Sequence, residues 1–420
     1  MQIMQLKLNV SLIALLLVST AALAGDWPQF LGPHRNGVYD GSELAEDWPA
    51  TGPPIRWQKS VGHGFSGPVV ADRKLVLFDR QGDKEVISCF DSRTGKAIWD
   101  FTYATTYVDD FGFDDGPRAT PSISEGRLYT FGAQGMLSCL DFATGKRLWS
   151  VDLKSEFQAE NGFFGMACSP LVEGNAVVLN IGGKKGAGIV ALDKASGKLL
   201  WKASDDEASY SSPVAATIGS GRYLLFLTRN GLVALDPKDG GIRAQYPWHS
   251  RNRMSVNAAT PLVVGGNIFL SACYDTGAVL LRLQEQGAEK IWSEDDLLSN
   301  HYTTSVELNG FLYGIHGRTD PGFRPAAKLR CVELKSKRVC WETDSIGAAS
   351  IIRAGNRFCI LTEKGELVIA AATPENFQEK CRARILSSEV RPFPSLAEGL
   401  FYARSKDRLV CVNLGKGDPK

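Results

Sequence analysis

Two histidines, a cluster of aspartates and a short acidic run are the side chains of this 420-residue chain best suited to chemistry. His301 in "SNHYTTS" and His316, followed closely by Arg318, could present two imidazoles and a guanidinium to one ligand or metal. A zinc-type centre needs three or four protein ligands, and neither H-x-H nor H-x-x-x-H occurs. Two locally bonded histidines are the competing reading. Asp109, Asp110, Asp114 and Asp115 surround Phe111 and Phe113 and precede Arg118. Such a set could hold calcium or a polar ligand, yet the D-x-D-x-D-G calcium loop is absent. An acidic lid tied by Arg118 is the alternative. Asp205, Asp206 and Glu207 precede Tyr210, and Asn257 ends the polar stretch "HSRNRMSVN". "GKKGAG" at 183–188 is glycine-rich, but no helix follows it, so it is not a phosphate loop. No G-x-S-x-G, H-E-x-x-H or C-x-x-C is present. No catalytic residue and no metal ligand is therefore assigned. The candidate ligand-binding residues are Arg118, Asp114, Tyr210, Asn257, His301, His316 and Arg318.

The elements that must position them follow a repeat. "CFDSRTGKAIW" at 89–99 recurs as "CLDFATGKRLW" at 139–149 and "ALDKASGKLLW" at 191–201. Weaker copies are "ALDPKDGGIRAQYPW" at 234–248, "LRLQEQGAEKIW" at 281–292 and "CVELKSKRVCW" at 331–341. Trp57, Trp99, Trp149, Trp201, Trp248, Trp292 and Trp341 keep the beat, seven of the nine tryptophans at intervals of 42 to 52 residues. Between them lie short β-rich segments punctuated by glycine turns, four to a unit. Units of about 40–50 residues with four strands describe a β-propeller blade.

Residues 390–414 supply only three strands of a last unit, and "PPIRWQKSV" around Trp57 supplies the fourth. The expected fold is all-β: an eight-bladed propeller of four-stranded antiparallel blades, its ring closed by the N-terminal strand. The unit before the last lacks its tryptophan, which leaves seven blades as the alternative. In each repeat an aspartate precedes a turn whose backbone N–H groups it can accept. Gly95, Gly145 and Gly197 supply the positive φ the hairpin needs. The motif is thus read as a turn and an anchor, not as paired catalytic carboxylates.

The pattern Ala/Cys-x-Asp-x-x-Thr-Gly-x-x-x-Trp resembles the tryptophan-docking repeat of quinoprotein alcohol dehydrogenases. It is similar, too, to the repeat of the exported propeller lipoprotein that assists outer-membrane protein assembly. The stretch "DWPQFLGPHRNGV" resembles the start of secreted bacterial pyrroloquinoline-quinone-like propeller proteins. The resemblance implies indole rings stacked near a neighbouring blade's backbone. A dehydrogenase would need pyrroloquinoline quinone, calcium on side-chain oxygens, an aspartate base, a tryptophan floor and, commonly, a disulfide between adjacent cysteines. This chain has no adjacent cysteines. No cofactor is expected, and quinone with calcium belongs to the alternative.

Lys7, the following apolar run and Ala22-Leu23-Ala24 make a secretory signal peptide over 1–24. The run is short for a span of about 20 residues, and no cysteine at the cleavage site invites a lipid. An extension at 25–52, the propeller at 53–414 and a tail at 415–420 complete the division. A periplasmic or secreted monomer is expected. The +1 net charge, from 47 basic and 46 acidic residues, leaves no footprint for nucleic acid. Cys89, Cys139, Cys331 and Cys411 occupy equivalent repeat positions, too far apart to bridge, whereas Cys331 and Cys340 flank one hairpin and could pair. In a propeller, the loops opposite the Thr-Gly turns carry function. The leading reading is a non-catalytic binder of a protein, peptide or small polar ligand on that face; a quinoprotein dehydrogenase and an envelope-assembly scaffold are the alternatives.

Overall fold

The structure is a computed structural model that describes residues 25–416, apart from 42, 46, 50, 253–256, 320–325 and 388. The signal peptide assigned to 1–24 and the tail end at 417–420 lie outside the described residues. Eight antiparallel blades form the ring: 69–104, 122–152, 171–203, 214–247, 262–294, 306–343, 349–384, and 395–413 completed by Ile55–Ser60. The expected eight blades are present. The last is closed as the sequence implies, with Trp57 opposite Cys411.

Burial explains the strand types. The second and third strands of each blade, such as Lys74–Gln81 and Lys84–Asp91, are apolar runs covered on both faces by neighbouring blades. The outer strand Ala97–Ala104 alternates exposed and half-buried residues, because only one of its faces meets a neighbour. Around the channel the short inner strands are linked by hydroxyls. Gly67 donates its N–H to Thr120 Oγ1 at 3.1 Å, Thr120 to Ser169 Oγ at 3.0 Å, and Ser169 to Ser212 Oγ at 3.0 Å. Thr260 does the same to Thr304 Oγ1 at 3.0 Å. At these four seams one blade hands a backbone donor to the next.

The repeat motif makes the seams. In all eight blades the outer strand skips one residue of pairing just before the tryptophan position. This bulge turns the indole toward the next blade. Trp57, Trp99, Trp149 and Trp201 then donate Nε1–H to Ser92, Phe142, Lys194 and Pro237 carbonyls at 2.9, 3.2, 3.3 and 3.3 Å. Under these rings lie Gly95, Gly145, Gly197 and Gly240, where a Cβ would come within 2.4 to 2.8 Å of an indole carbon. The glycine therefore serves both the turn, with φ near +70°, and the close approach. Asp141 accepts Thr144 N–H and Oγ1–H at 2.8 and 2.6 Å, bonds that hold its carboxyl below the ordinary range.

Three anchors depart from the pattern. In blade 4 the tryptophan position, opposite Ala234, is held by Ala244, and Trp248 follows the end of the strand. Trp292 occupies its position opposite Leu280, but it packs among Leu262, Phe269, Leu312, Val332 and Leu334. The turn of the next blade carries Lys337 at φ +60° where the others carry glycine. In blade 7 the position belongs to Cys381. All nine cysteines are free, Cys331 and Cys340 included.

The extension at 25–52 packs into the propeller. Trp27 exchanges backbone hydrogen bonds with Val70 of blade 1 at 2.8 and 2.9 Å, and Ile123 of blade 2 donates to Pro28. Arg35, 2% exposed, donates to the Ser169, Pro170 and Pro213 carbonyls and to Ser122 Oγ, joining the inner ends of blades 2 to 4. Val38–Tyr39 then adds a parallel strand to Ala349–Ala354 of blade 7. Among the described residues no helix is long and apolar enough to cross a membrane.

Trp99→Ala is expected to cost about 3–5 kcal/mol of unfolding free energy, and Gly145→Val to approach that cost through the clash with the Trp99 ring. Trp248→Ala, without a dock to lose, should cost only about 1 kcal/mol. Urea denaturation of the three variants checks the order.

Candidate functional site

The connections between blades, together with the turns between second and third strands, all open on the face opposite the Thr-Gly turns. There the 105–118 loop folds around its own carboxylates. Asp109 accepts N–H donors from Phe111, Phe113 and Asp114 at 3.1, 3.0 and 3.0 Å, and Asp115 accepts Asp109 N–H at 2.7 Å. Asp114 accepts Gly116 N–H at 2.7 Å, and its other oxygen, buried, stands 3.9 Å from His63 Nδ1. These aspartates cage backbone rather than face solvent, because a turn this tight leaves several amide donors with no partner in a strand.

Arg118 ties the lid down. Its guanidinium pairs with Asp109 at 2.9 Å, both side chains being almost fully buried. The same guanidinium lies 5.3, 5.9 and 5.6 Å from the ring centres of Phe65, Tyr107 and Phe164, within cation–π range. Arg391 covers Phe65 and Phe113 from the far side of the ring at 5.6 and 5.3 Å and pairs with Glu363 at 3.2 Å. Phe111 meets Phe163 and Phe164 at 5.9 and 5.2 Å, Phe113 meets Phe164 at 5.7 Å, and Arg229 lies over Phe163 at 5.5 Å. Val108, Phe111 and Phe113 remain 65%, 51% and 39% exposed.

Tyr210 and Asn257 stand behind this cluster. Tyr210 OH accepts Phe164 N–H at 2.7 Å while its ring meets Phe164 at 5.5 Å, and burial pushes the phenol up to about 12. Its N–H donates to Asn257 O at 3.0 Å, and Asn257 Nδ2 donates to Thr228 O at 2.8 Å. Asp114, Arg118, Tyr210 and Asn257 are therefore brought into one connected assembly. Phe65, Phe163, Phe164, Arg229 and Arg391 complete it, although they were not singled out from the sequence. The "FF" doublet within a loop was the available signal.

His301, His316 and Arg318 form a separate group. His301 shares hydrogen bonds with Tyr274 OH and Thr319 Oγ1, each at 2.7 Å, and Arg318 lies 4.6 Å over the Tyr274 ring. His316 is 2% exposed; its Nδ1 accepts Ser299 N–H at 3.2 Å, and its Nε2 stands 3.2 Å from Asp296. Burial, then the neighbouring Arg330, lowers its pKa to about 4. The two histidines have different partners and make no shared ligand set. Among the described residues no group of three His, Cys, Asp or Glu could hold a metal.

The residues present do not fit pyrroloquinoline quinone with calcium. The channel wall that would face such a ring is met by Arg35, whose donors are taken by three blades. Trp27, the buried indole of the extension, stacks 6.4 Å from Phe393 and packs over Gly32, so it offers no bare floor.

His316 binds its proton more weakly folded than unfolded, so it contributes stability above pH ~6.5 that is lost as pH falls toward ~4. His316→Gln should flatten that acid-side fall in thermal midpoint, measured from pH 7 to pH 4.

Comparison with known proteins agrees with this geometry. The model of a family described as outer membrane protein assembly factor BamB matches residues 82–343. No curated protein matches the chain. The solved BamB from Moraxella catarrhalis superposes with a TM-score of 0.63 at 15% identity, over 87% of this chain and 99% of that one. Quinohemoprotein alcohol dehydrogenase from Comamonas testosteroni gives 0.71 at 16%, over 96% and 82%. The computationally designed Ika8 protein gives 0.61 at 12%, over 86% and 100%. At these identities the likeness speaks for the fold, while the family match spans more than half the chain. A propeller built on the tryptophan repeat, the chain belongs to the family of outer membrane protein assembly factor BamB.

Proposed function

We propose that this protein is an exported, non-catalytic propeller that docks a protein partner of the cell envelope through its loop-rich face. One observation carries the reading. On that face the aspartates and Arg118 are turned inward to hold the loops, leaving Val108, Phe111 and Phe113 exposed beside Arg229 and Arg391. An apolar patch rimmed by polar groups favours association with another macromolecule. Assembly of outer membrane proteins, in the family's description, supplies a setting that suits such a surface. Export through cleavage after Ala24 and a monomeric mature chain belong to the same proposal. Binding of a small polar ligand is less well supported, since Asp109, Asp115 and Arg118 of the lid already hold one another or the loop backbone.

Aromatic anchors at an interface centre cost about 2 kcal/mol or more when truncated. Phe111→Ser with Phe113→Ser should therefore reduce capture of an envelope partner at least 30-fold, while the thermal midpoint stays close to that of the parent. A photo-crosslinker at position 111, followed by mass spectrometry, names the partner. Saturable binding of quinone with calcium, together with dye-linked alcohol oxidation, would overturn the proposal in favour of a dehydrogenase. Retained capture by the double variant would move the docking surface elsewhere.

A further inference from the structure

At six seams the outer strand places an indole at the docking position; blades 4 and 7 do not. The two exceptions differ in what fills the gap. Beside Ala244 the seam is packed by Tyr223, Tyr246 and Trp248. Beside Cys381 it is bridged by the chain's own N-terminal strap. Ala45 donates its N–H to Leu414 O at 2.7 Å, the turn carbonyl that a docked indole would take, and Leu44 bridges Gly415. The strap thus replaces the docking hydrogen bond, but Leu44 and Ala45 are too small to replace the docking volume. A cavity of about 270 Å³ lies beside this position, lined by Leu44, Asp47, Trp48, Arg357, Cys359, Ile369 and Leu414. Cys381 is not in its wall but pairs with Ile369, which is.

We infer that this cavity binds a free bicyclic aromatic molecule, beside the place that an indole holds at the other seams. The chemistry follows from the lining. Cys359 and Ile369 are buried apolar walls, and Trp48 and Arg357 in the same lining are side chains that can stack on an aromatic ring. Several polar groups of the lining are engaged, the Arg357 donors by the Leu44 and Ala45 carbonyls, the Leu414 carbonyl by Ala45 and Asn413 Oδ1 by Gly415 N–H. The Asp47 carboxylate in the wall suits a ring that carries an N–H. An apolar cavity far smaller than this one takes up benzene in preference to water. The site lies at the seam of blades 7 and 8, apart from the loop-rich face, and does not depend on the docking proposal.

The probe is indole, titrated into the intact protein with saturation-transfer NMR and thermal shift as readouts. Saturable binding and a raised midpoint are expected. Cys381→Trp should fill the space, raise the midpoint without ligand, and weaken indole binding at least tenfold, whereas Cys381→Ser should leave binding within twofold. Should Cys381→Trp not fold, Ile369→Phe narrows the same cavity from the adjoining strand and should weaken binding to a similar degree. Absence of saturable binding to the parent protein, or undiminished binding in the folded filled variant, overturns the inference. Binding of a tryptophan-bearing peptide in preference to indole would likewise overturn it, assigning the cavity to a protein partner.

Discussion

An outer-strand indole seated on the turn glycine of the next blade is the contact on which the ring depends. A four-stranded blade has two apolar faces and cannot bury either alone. Stacking buries them near the axis, but twisted sheets splay toward the rim, and a gap opens where the outer strands lie. The indole fills that gap, and its N–H finds a carbonyl it would otherwise lack. The glycine permits the approach, and the aspartate two residues beyond the paired cysteine or alanine holds the turn in shape. The bulge before each tryptophan aims it. Four residue types thus specify one seam, and repetition specifies the ring.

Closure asks more of the chain than any single seam. The last blade takes its outer strand from the opposite end of the propeller, a pairing with a high cost in loop entropy. The extension offsets that cost by distributing contacts. Trp27 holds blade 1, Arg35 spans blades 2 to 4, Val38–Tyr39 extends blade 7, and Leu44 closes on blade 8. Burying the Arg35 charge without a carboxylate is tolerable because five oxygens, Gln29 Oε1 among them, accept from it, although burial lowers its pKa to about 10. The same arrangement packs the inner ends of blades 2 to 4 around the Arg35 guanidinium.

Blade number, strand number and ring closure were legible because the period repeats one physical device. Trp248 matches the repeat in identity but not in spacing. Fourteen residues separate Ala234 from Trp248, against ten from Cys89 to Trp99, and the excess carries the ring past the docking position, although it still packs into the seam. The site was legible only in outline. Loop composition points to the loop-rich face, yet the direction of a side chain in an irregular loop depends on which amides lack partners. That is why "DDFGFDD" reads as solvated acid but folds with Asp109 inward and Phe111 outward. His301 and His316 share a face, but their separate partners could not be read from spacing. The extension has no periodicity, so nothing in its pattern announced its packing into the propeller.

The distribution of perturbed groups bears on the proposed docking role of this face. A general acid or base must have a shifted pKa and also reach a reacting atom. Here Glu85 and Asp79 are raised by burial, and His316 is lowered by it. Glu85 answers Ala133 N–H, Asp79 answers Gly62 N–H, and His316 answers Ser299 N–H, so each shifted group serves a backbone donor at a blade end. The lid presents the complement: rings held from behind by guanidinium groups and from below by Tyr210. Such anchors are already ordered, so little side-chain entropy remains to be lost when a partner covers them. A scaffold whose polar chemistry is directed inward and whose aromatic surface is fixed in advance is suited to association, and the tryptophan seams supply the rigidity that makes the fixing possible.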